Sequence, residues 1–338
     1  MVFKGFKIFF FSVCKQLKGL VFGKERGNEG MNLFNRVKVA VNSIKTKAKF
    51  RYAFFAIVPT VLIIFTVIIY PLFYAVNLSF KDVRLGSDDR FIGFNNYISL
   101  LTNPNFQQAV VVTLVFTVIS VILVVCISFG IAFLINQNLK GNNLLKFALL
   151  LPYALPGTLN AVMWQWMFDS SYGIINFVLK ELGLITTYIT FSSSPNYALP
   201  AIIIAYVWKF VPYSAFLFLA GLTTIPKEVY EASVIDGSTG LRQFFKITLP
   251  LLKPVFQLVL IVQTTFALLM HFGLVYVITG GGPGMATTTV PWFIYKDTFD
   301  FMRFGRGSAG AVILAVMMLG FIYLYLVVLK PKRKGAYY

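Results

Sequence analysis

Residues 226–254 read PKEVYEASVIDGSTGLRQFFKITLPLLKP and lie between two apolar runs of membrane-spanning length, Ala198–Leu222 and Val255–Thr279. The stretch is polar, yet it carries helical signals. Pro226 suits a helix start, because its fixed φ is helical and its missing N–H would be unpaired there anyway. Glu231 and Ala232 fall in that helix, and Gly237 is the residue that most easily adopts a left-handed helix stop. Ser238 or Thr239 offers a cap for a second short helix through Phe244 and Phe245, which Pro250 is expected to end. Two short helices on a glycine joint, poised between spans, describe a docking device rather than a catalytic loop.

The rest of the chain sets the medium in which that device sits. Of 338 residues, 58% are hydrophobic and only 12% charged, where ordinary globular domains carry about a quarter charged residues. Six apolar runs approach the roughly 20 residues needed to cross a bilayer: Ala53–Leu78, Ala109–Ile135, Phe147–Phe168, Ala198–Leu222, Val255–Thr279 and Ala309–Leu329. Hydrocarbon offers no partner to a free backbone group, so these runs must be helices. The expected fold class is an all-α integral membrane protein with six transmembrane helices. Residues 1–52 form a basic tail, 53–329 the membrane domain and 330–338 a second basic tail.

A net charge of +18 would suggest nucleic acid in a soluble chain. In a membrane protein the same charge marks cytoplasmic segments, and no nucleic-acid partner is expected. With both termini inside, the inner segments hold twenty-two Lys and Arg and the outer loops seven (Lys81, Arg84, Arg90, Lys180, Lys296, Arg303 and Arg306). That asymmetry places both termini and the 226–254 loop in the cytoplasm, and the first tail on an anionic leaflet. Cys14 and Cys126 make no disulfide framework, and no Cys or His cluster has metal spacing.

The positions Glu231, Ala232, Gly237, Ile247, Leu249 and Pro250 match the spacing EAA-x3-G-x9-I-x-L-P, with Ser233 standing for the second alanine. This resembles the EAA loop of permease subunits in bacterial binding-protein-dependent ABC importers. The surrounding IDG (Ile235, Asp236, Gly237) and LPLLKP (Leu249–Pro254) resemble the carbohydrate branch. So do FIGFNNYISLLTNPNF (Phe91–Phe106) and GIINFVLKELGL (Gly173–Leu184) in the outer loops. TGGGPG (Thr279–Gly284) after the fifth span resembles the MalF/UgpA-type subunit. The resemblance implies a type I ABC importer permease fold in a bacterial cell membrane. It also implies a second, MalG/UgpE-type permease, two ABC ATPases and an external solute-binding protein as partners, with a sugar as cargo. Glu231, Ala232, Ser233, Asp236, Gly237, Leu249 and Pro250 would then couple the chain to the ATPases.

The chain's own chemistry is sparse. Gly23-Lys24 is followed by glutamate and lacks the glycine spacing of a phosphate loop, and Gly280–Gly284 offers no lysine. No cofactor is therefore expected in this chain; ATP and magnesium belong to partner subunits, and the protein is not an enzyme. Tyr206, Phe210 and Tyr213 recur at i, i+4, i+7 in the fourth span, and Gln263, Phe266 and Met270 at i, i+3, i+7 in the fifth, so each set shares a helix face. Aromatic rings over sugar C–H faces, with polar groups aimed at hydroxyls, suit a saccharide path. By resemblance to maltose-type permeases, Tyr213 and Phe266 are its leading contacts. Asn160, Trp164 and Gln165 are further candidates. His271, the only histidine, and Lys209, the only cation well inside a span, leave open a proton-coupled carrier. Within the importer class, glycerol 3-phosphate or polyols stand as alternative cargo. A phosphate calls for cations in the path, so neutral sugars lead.

Overall fold

The computed structural model describes residues 55, 57–86, 89–137, 141–269 and 271–329. The expectations for the basic tails (residues 1–52 and 330–338) and for Met270 lie outside the described residues. The chain divides into two units, Met1–Leu72 and Phe73–Tyr338. The described residues up to Leu72 are helical and belong to a membrane-length helix, Ile57–Ser79, with a π turn at Phe65–Ile69. The account below concerns the second unit.

Among the described residues, five helices are long and apolar enough to cross a membrane: Ile57–Ser79, Pro104–Asn136, Pro195–Thr223, Lys253–Thr279 and Phe304–Val328. The third expected span, Phe147–Phe168, is not one helix. It is two, Asn142–Ala154 and Gly157–Met167, bent by 97°. Leu155 and Pro156 at the break are extended, with ψ of 133° and 146°. The cause is local: Pro156 has no N–H to continue the ladder, and its ring disfavours the helical conformation at Leu155. The total reaches six spans only if this bent pair counts as one.

Packing centres on the long second span, Pro104–Asn136, against the fourth, Pro195–Thr223. Asn103 caps the second span, its side chain accepting from the N–H groups of Asn105 (2.9 Å) and Phe106 (3.1 Å), with Pro104 in the first helical position. The buried faces carry small residues, Ser120, Ser128 and Ala132 on one helix and Ala198, Ala201, Ala205, Ser214 and Ala215 on the other. Small side chains let backbones approach where lipid supplies no hydrophobic drive between helices. Phe116, Tyr206 and Phe210 fill the remaining space with ring contacts of 5.3 Å and 4.5 Å.

Loops brace one end of the bundle. A two-residue hairpin pairs Lys81 with Phe91 and Asp82 with Arg90, and the Asn96 amide donates to the carbonyls of Ser79 and Lys81. Gly305 packs so closely there that a Cβ would lie 2.0 Å from the Lys81 carbonyl oxygen. Asn176, in the short helix Ile174–Glu181, donates to the carbonyls of Asp169 and Ile189 and accepts from the Ile189 N–H. Past the fifth span, Thr287 and Thr288 donate to the carbonyls of Gly282 and Gly281 and close the glycine turn on itself.

Candidate functional site

Two arrangements bear on function, one at membrane depth and one between the fourth and fifth spans. The first is a cavity of about 490 Å³ where the broken third span meets the fourth and fifth. Phe210 and Phe266 form one wall, their rings 5.4 Å apart. Tyr213 packs on Phe266 at 5.8 Å and stacks on Tyr153, another lining residue, at 5.3 Å. The opposite side carries Gly157, Thr158 and Asn160 from the helix after the break. Asn160 is fully buried, and neither atom of its amide has a protein partner. A buried, unpaired amide facing a cavity is costly unless a ligand or water completes it.

Lys209 also lines the cavity, and its ammonium donates to the Leu155 carbonyl oxygen. That oxygen is left free by the break, and a cation is favoured at the negative end of the preceding helix. The lysine thus caps a broken helix 54 residues away in the chain. The break it reaches is at Leu155–Pro156, while Pro212, three residues beyond the lysine, sits inside an unbroken helix.

Tyr213 touches this wall without lining the cavity itself, and the remaining expected path residues Tyr206, Gln263, Trp164 and Gln165 do not line it either. Tyr206 is fully buried, its hydroxyl 3.3 Å from the Gln263 side-chain oxygen. Gln263 is equally buried and donates to the Ser214 hydroxyl at 2.6 Å. Both serve a hydrogen-bonded core joining the fourth and fifth spans. Gln165 donates to the Val277 carbonyl at 2.8 Å, and Trp164 is packed among Phe168 and Trp208. His271 is buried against Phe116, ring centroids 4.6 Å apart, and is not a cavity residue. Among the described residues, no three His, Cys, Asp or Glu side chains gather as a metal group.

The second arrangement is the polar loop. Its first helix runs Lys227–Ile235, with Pro226 at the cap position. Gly237 reverses the chain with φ +71°, and the N–H of Ser238 returns to the Ser233 carbonyl at 2.8 Å. The second helix begins at Gly240 after Thr239, whose side chain makes no capping bond. It does not stop before Pro250. A π turn, Phe244–Thr248, leads into a helical turn, Leu249–Leu251. The wider π turn fits the proline, which cannot donate to the carbonyl one turn back.

Ser233 is the residue that departs from the expected double alanine, and it joins the two helices. Its hydroxyl donates to the Tyr230 carbonyl at 2.7 Å and accepts from the Gln243 amide at 2.6 Å. Gln243 also donates to the Tyr230 carbonyl, and the Tyr230 hydroxyl lies 3.2 Å from that of Thr248. An alanine could make neither serine bond. Outside this staple, Glu231, Ala232 and Asp236 are exposed, as is Pro250, while Leu249 is half-buried. Ile235 is 87% and Leu241 77% exposed, and Phe245 is exposed as well. Large apolar side chains clustered on a short polar loop mark an interaction surface.

Comparison with known proteins gives the family and the fold. The family model for binding-protein-dependent transport system inner membrane components matches residues 124–333. The trehalose/maltose transport system permease protein MalF of Thermococcus litoralis is 36% identical over 296 residues, covering 86% of this chain and 99% of that protein. The sulfoquinovosyl glycerol transport system permease protein SmoG of Agrobacterium fabrum is 37% identical over 276 residues, covering 81% and 89%. In fold, the chain is similar to a crystallised bacterial alginate ABC transporter in complex with an alginate pentasaccharide-bound periplasmic protein. That likeness has a TM-score of 0.74 at 20% identity and covers 86% of this chain and 99% of the other.

Proposed function

The chain belongs to the family of binding-protein-dependent transport system inner membrane components, and from that premise we propose that it forms half of the membrane path of an ATP-driven saccharide importer. It is a permease subunit and not itself an enzyme. The cavity of the broken third, fourth and fifth spans holds the sugar. Phe210, Phe266 and Tyr213 supply aromatic faces, and Asn160 and Thr158 meet hydroxyls. Lys209 is engaged with the Leu155 carbonyl and no second cation lines the cavity to pair a doubly charged phosphate, so a neutral sugar of the maltose type suits it better than a phosphate ester.

The observation that carries the reading is the stapled helix pair Lys227–Leu251 with its exposed Glu231, Ile235, Leu241 and Phe245. It is too short and polar to span the membrane and joins directly to the two helices that wall the cavity. The pair lies in the cytoplasm, where two ATPases grip the coupling loops of this chain and of a homologous permease that completes the path, and an external binding protein delivers the sugar. ATP-driven closure moves the pair as a unit and switches the cavity between its two openings.

The test is co-purification and ATPase assay of the assembled complex in proteoliposomes. Glu231→Lys and Ile235→Asp should each abolish stimulation by sugar-loaded binding protein while the chain still inserts in the membrane. Full stimulation in both variants would reduce the loop to a linker and overturn the proposal.

A further inference from the structure

The cavity at the broken third span has a side rich in hydrogen-bond donors as well as an aromatic one. The helix Gly157–Met167 starts there without a side-chain cap, so its first backbone N–H groups have no partner within the helix. Gly157 and Thr158 line the cavity, and a Cβ built on Gly157 would meet nothing within 4 Å. The start of the helix thus faces open space. Asn160, in the same turn, lines the cavity too and is fully buried, with neither its amide oxygen nor its amide nitrogen partnered. Buried amides are rarely left so unless something else completes them. Lys209 is the fourth lining residue of this kind.

Charge decides what these donors can take. An ammonium has three donors, and the Leu155 carbonyl accepts from one of those on Lys209. Among the described residues no carboxylate pairs with Lys209, and no acidic side chain lines the cavity. The helix start adds about half a positive charge to the full one of the lysine. That sum falls short of a phosphate dianion but suits a single negative charge. Backbone N–H groups at a helix start, an amide N–H and an ammonium are the donors that a carboxylate or sulfonate accepts from. Facing them, Phe210 and Phe266 offer rings and no charge.

We propose that this side of the cavity binds one carboxylate or sulfonate carried by a saccharide whose ring lies on Phe210 and Phe266. The chamber then takes acidic sugars beside neutral ones, and holds the acidic form more tightly where the rest of the molecule is the same. That such a sugar is cargo rests on the transport reading above; that it binds here does not. A free small anion is the weaker fit, because it leaves the aromatic side of the cavity unused.

The test is calorimetric titration of the full chain in nanodiscs of uncharged lipid, at fixed ionic strength. Glucuronate should bind about tenfold more tightly than glucose, the worth of one charge-assisted hydrogen bond. Acetate, the free carboxylate, should compete only weakly with glucuronate. Asn160→Asp keeps the shape of the side chain and sets a negative charge at the site, so it should reverse the order of the two sugars. Lys209→Arg should keep the parent's preference, and Lys209→Met, in protein that still unfolds cooperatively, should bind both sugars alike. Equal binding of glucuronate and glucose by the parent, or glucuronate still the tighter in Asn160→Asp, would overturn the proposal. So would acetate competing as strongly as glucuronate, which would leave a free-anion site only. Equal binding sinks this inference alone and leaves a neutral-sugar importer standing, whereas binding of neither sugar would remove the cavity from both readings. Loss of coupling at the polar loop would leave this one untouched.

Discussion

Replacing Gly237 separates what its backbone does from what its neighbours do. Its φ of +71° is a left-handed conformation, and a Cβ built there meets nothing within 4 Å. The cost of a side chain is then conformational alone, about 1–2 kcal/mol, with no steric addition inside this chain. A change of that size shifts a two-state balance by roughly 5- to 30-fold. The first bonds to feel it are those closing the turn, from the Gly237 N–H to the Val234 carbonyl (3.0 Å) and from Ser238 to Ser233 (2.8 Å). Hydrogen exchange of the purified chain should show these two amides less protected by about that factor in Gly237→Ala. Gly237→Asn should lose less, since asparagine tolerates the left-handed region better than alanine. In the assembled complex, binding-protein-stimulated hydrolysis should fall in the same order. Unchanged exchange in Gly237→Ala would refute the strained-turn argument. A Gly237→Val variant crippled in hydrolysis, beside an alanine variant that is normal in both assays, would place the effect in a clash with a partner instead.

Lys209→Met should leave the Leu155 carbonyl uncapped and lower the thermal midpoint of the detergent-purified chain, whereas Lys209→Arg should retain most of it. Hydrogen bonds to charged groups are worth about 1.5–3 kcal/mol, and a methionine variant as stable as the parent would show that the cap is dispensable. Phe266→Ala and Tyr213→Ala should each weaken uptake two- to tenfold at limiting sugar, from about 0.5–1.5 kcal/mol per aromatic contact, with normal membrane insertion; unchanged uptake in both would remove the aromatic wall from the path. Before the last span, Asp297 is buried beside Arg306 (3.3 Å) and Arg303 (3.8 Å), and burial raises its carboxyl above the ordinary 3.8 despite the opposing pull of the two arginines. The folded chain therefore holds this proton more tightly than the unfolded one, so the stability it contributes is full below the ordinary value and declines as pH rises through the raised one. The thermal midpoint of the parent relative to Asp297→Asn should fall across that window, and a pH-independent difference would contradict it.

The spans were legible because their signal is additive: each apolar run sums over twenty or more residues, and errors fall only at the ends. The start of the second span was missed in this way: its apolar run begins at Ala109, but the helix begins at Pro104 behind the Asn103 cap. The break in the third span was not. Residues 150–157 read LLPYALPG, as apolar as a continuous helix, and the fourth span keeps Pro200 and Pro212 inside an unbroken one. What distinguishes Pro156 is the extended Leu155 before it and the lysine that reaches the freed carbonyl, a contact no local pattern encodes. For the same reason the helical periodicity that grouped Tyr206 with Phe210 and Tyr213 could not tell cavity wall from core. One face of a helix can do both at different depths, and Tyr206 sits where Phe116 and Gln263 close over it. In the polar loop 226–254, the glycine turn followed from composition, but the staple did not. Ser233 reads as a lapse from the expected alanine until Gln243, ten residues on, is seen to bond to it.

The broken third span also fixes the electric character of the cavity. Gly157 and Thr158, the first residues of the helix beyond the break, line it, and their helix has no side-chain cap. The unsatisfied N–H groups of a helix start carry about half a positive charge, and Lys209 adds a full one nearby, while no acidic side chain lines the space. On the transport cycle proposed above, the chamber opens alternately to either side of an energised membrane and risks leaking the very ions that membrane holds apart. Here the positive end of a half-helix and a lysine repel sodium ions and hydronium alike, while a neutral solute feels no such barrier. The kink that makes room for the cargo thereby insulates the membrane during its passage.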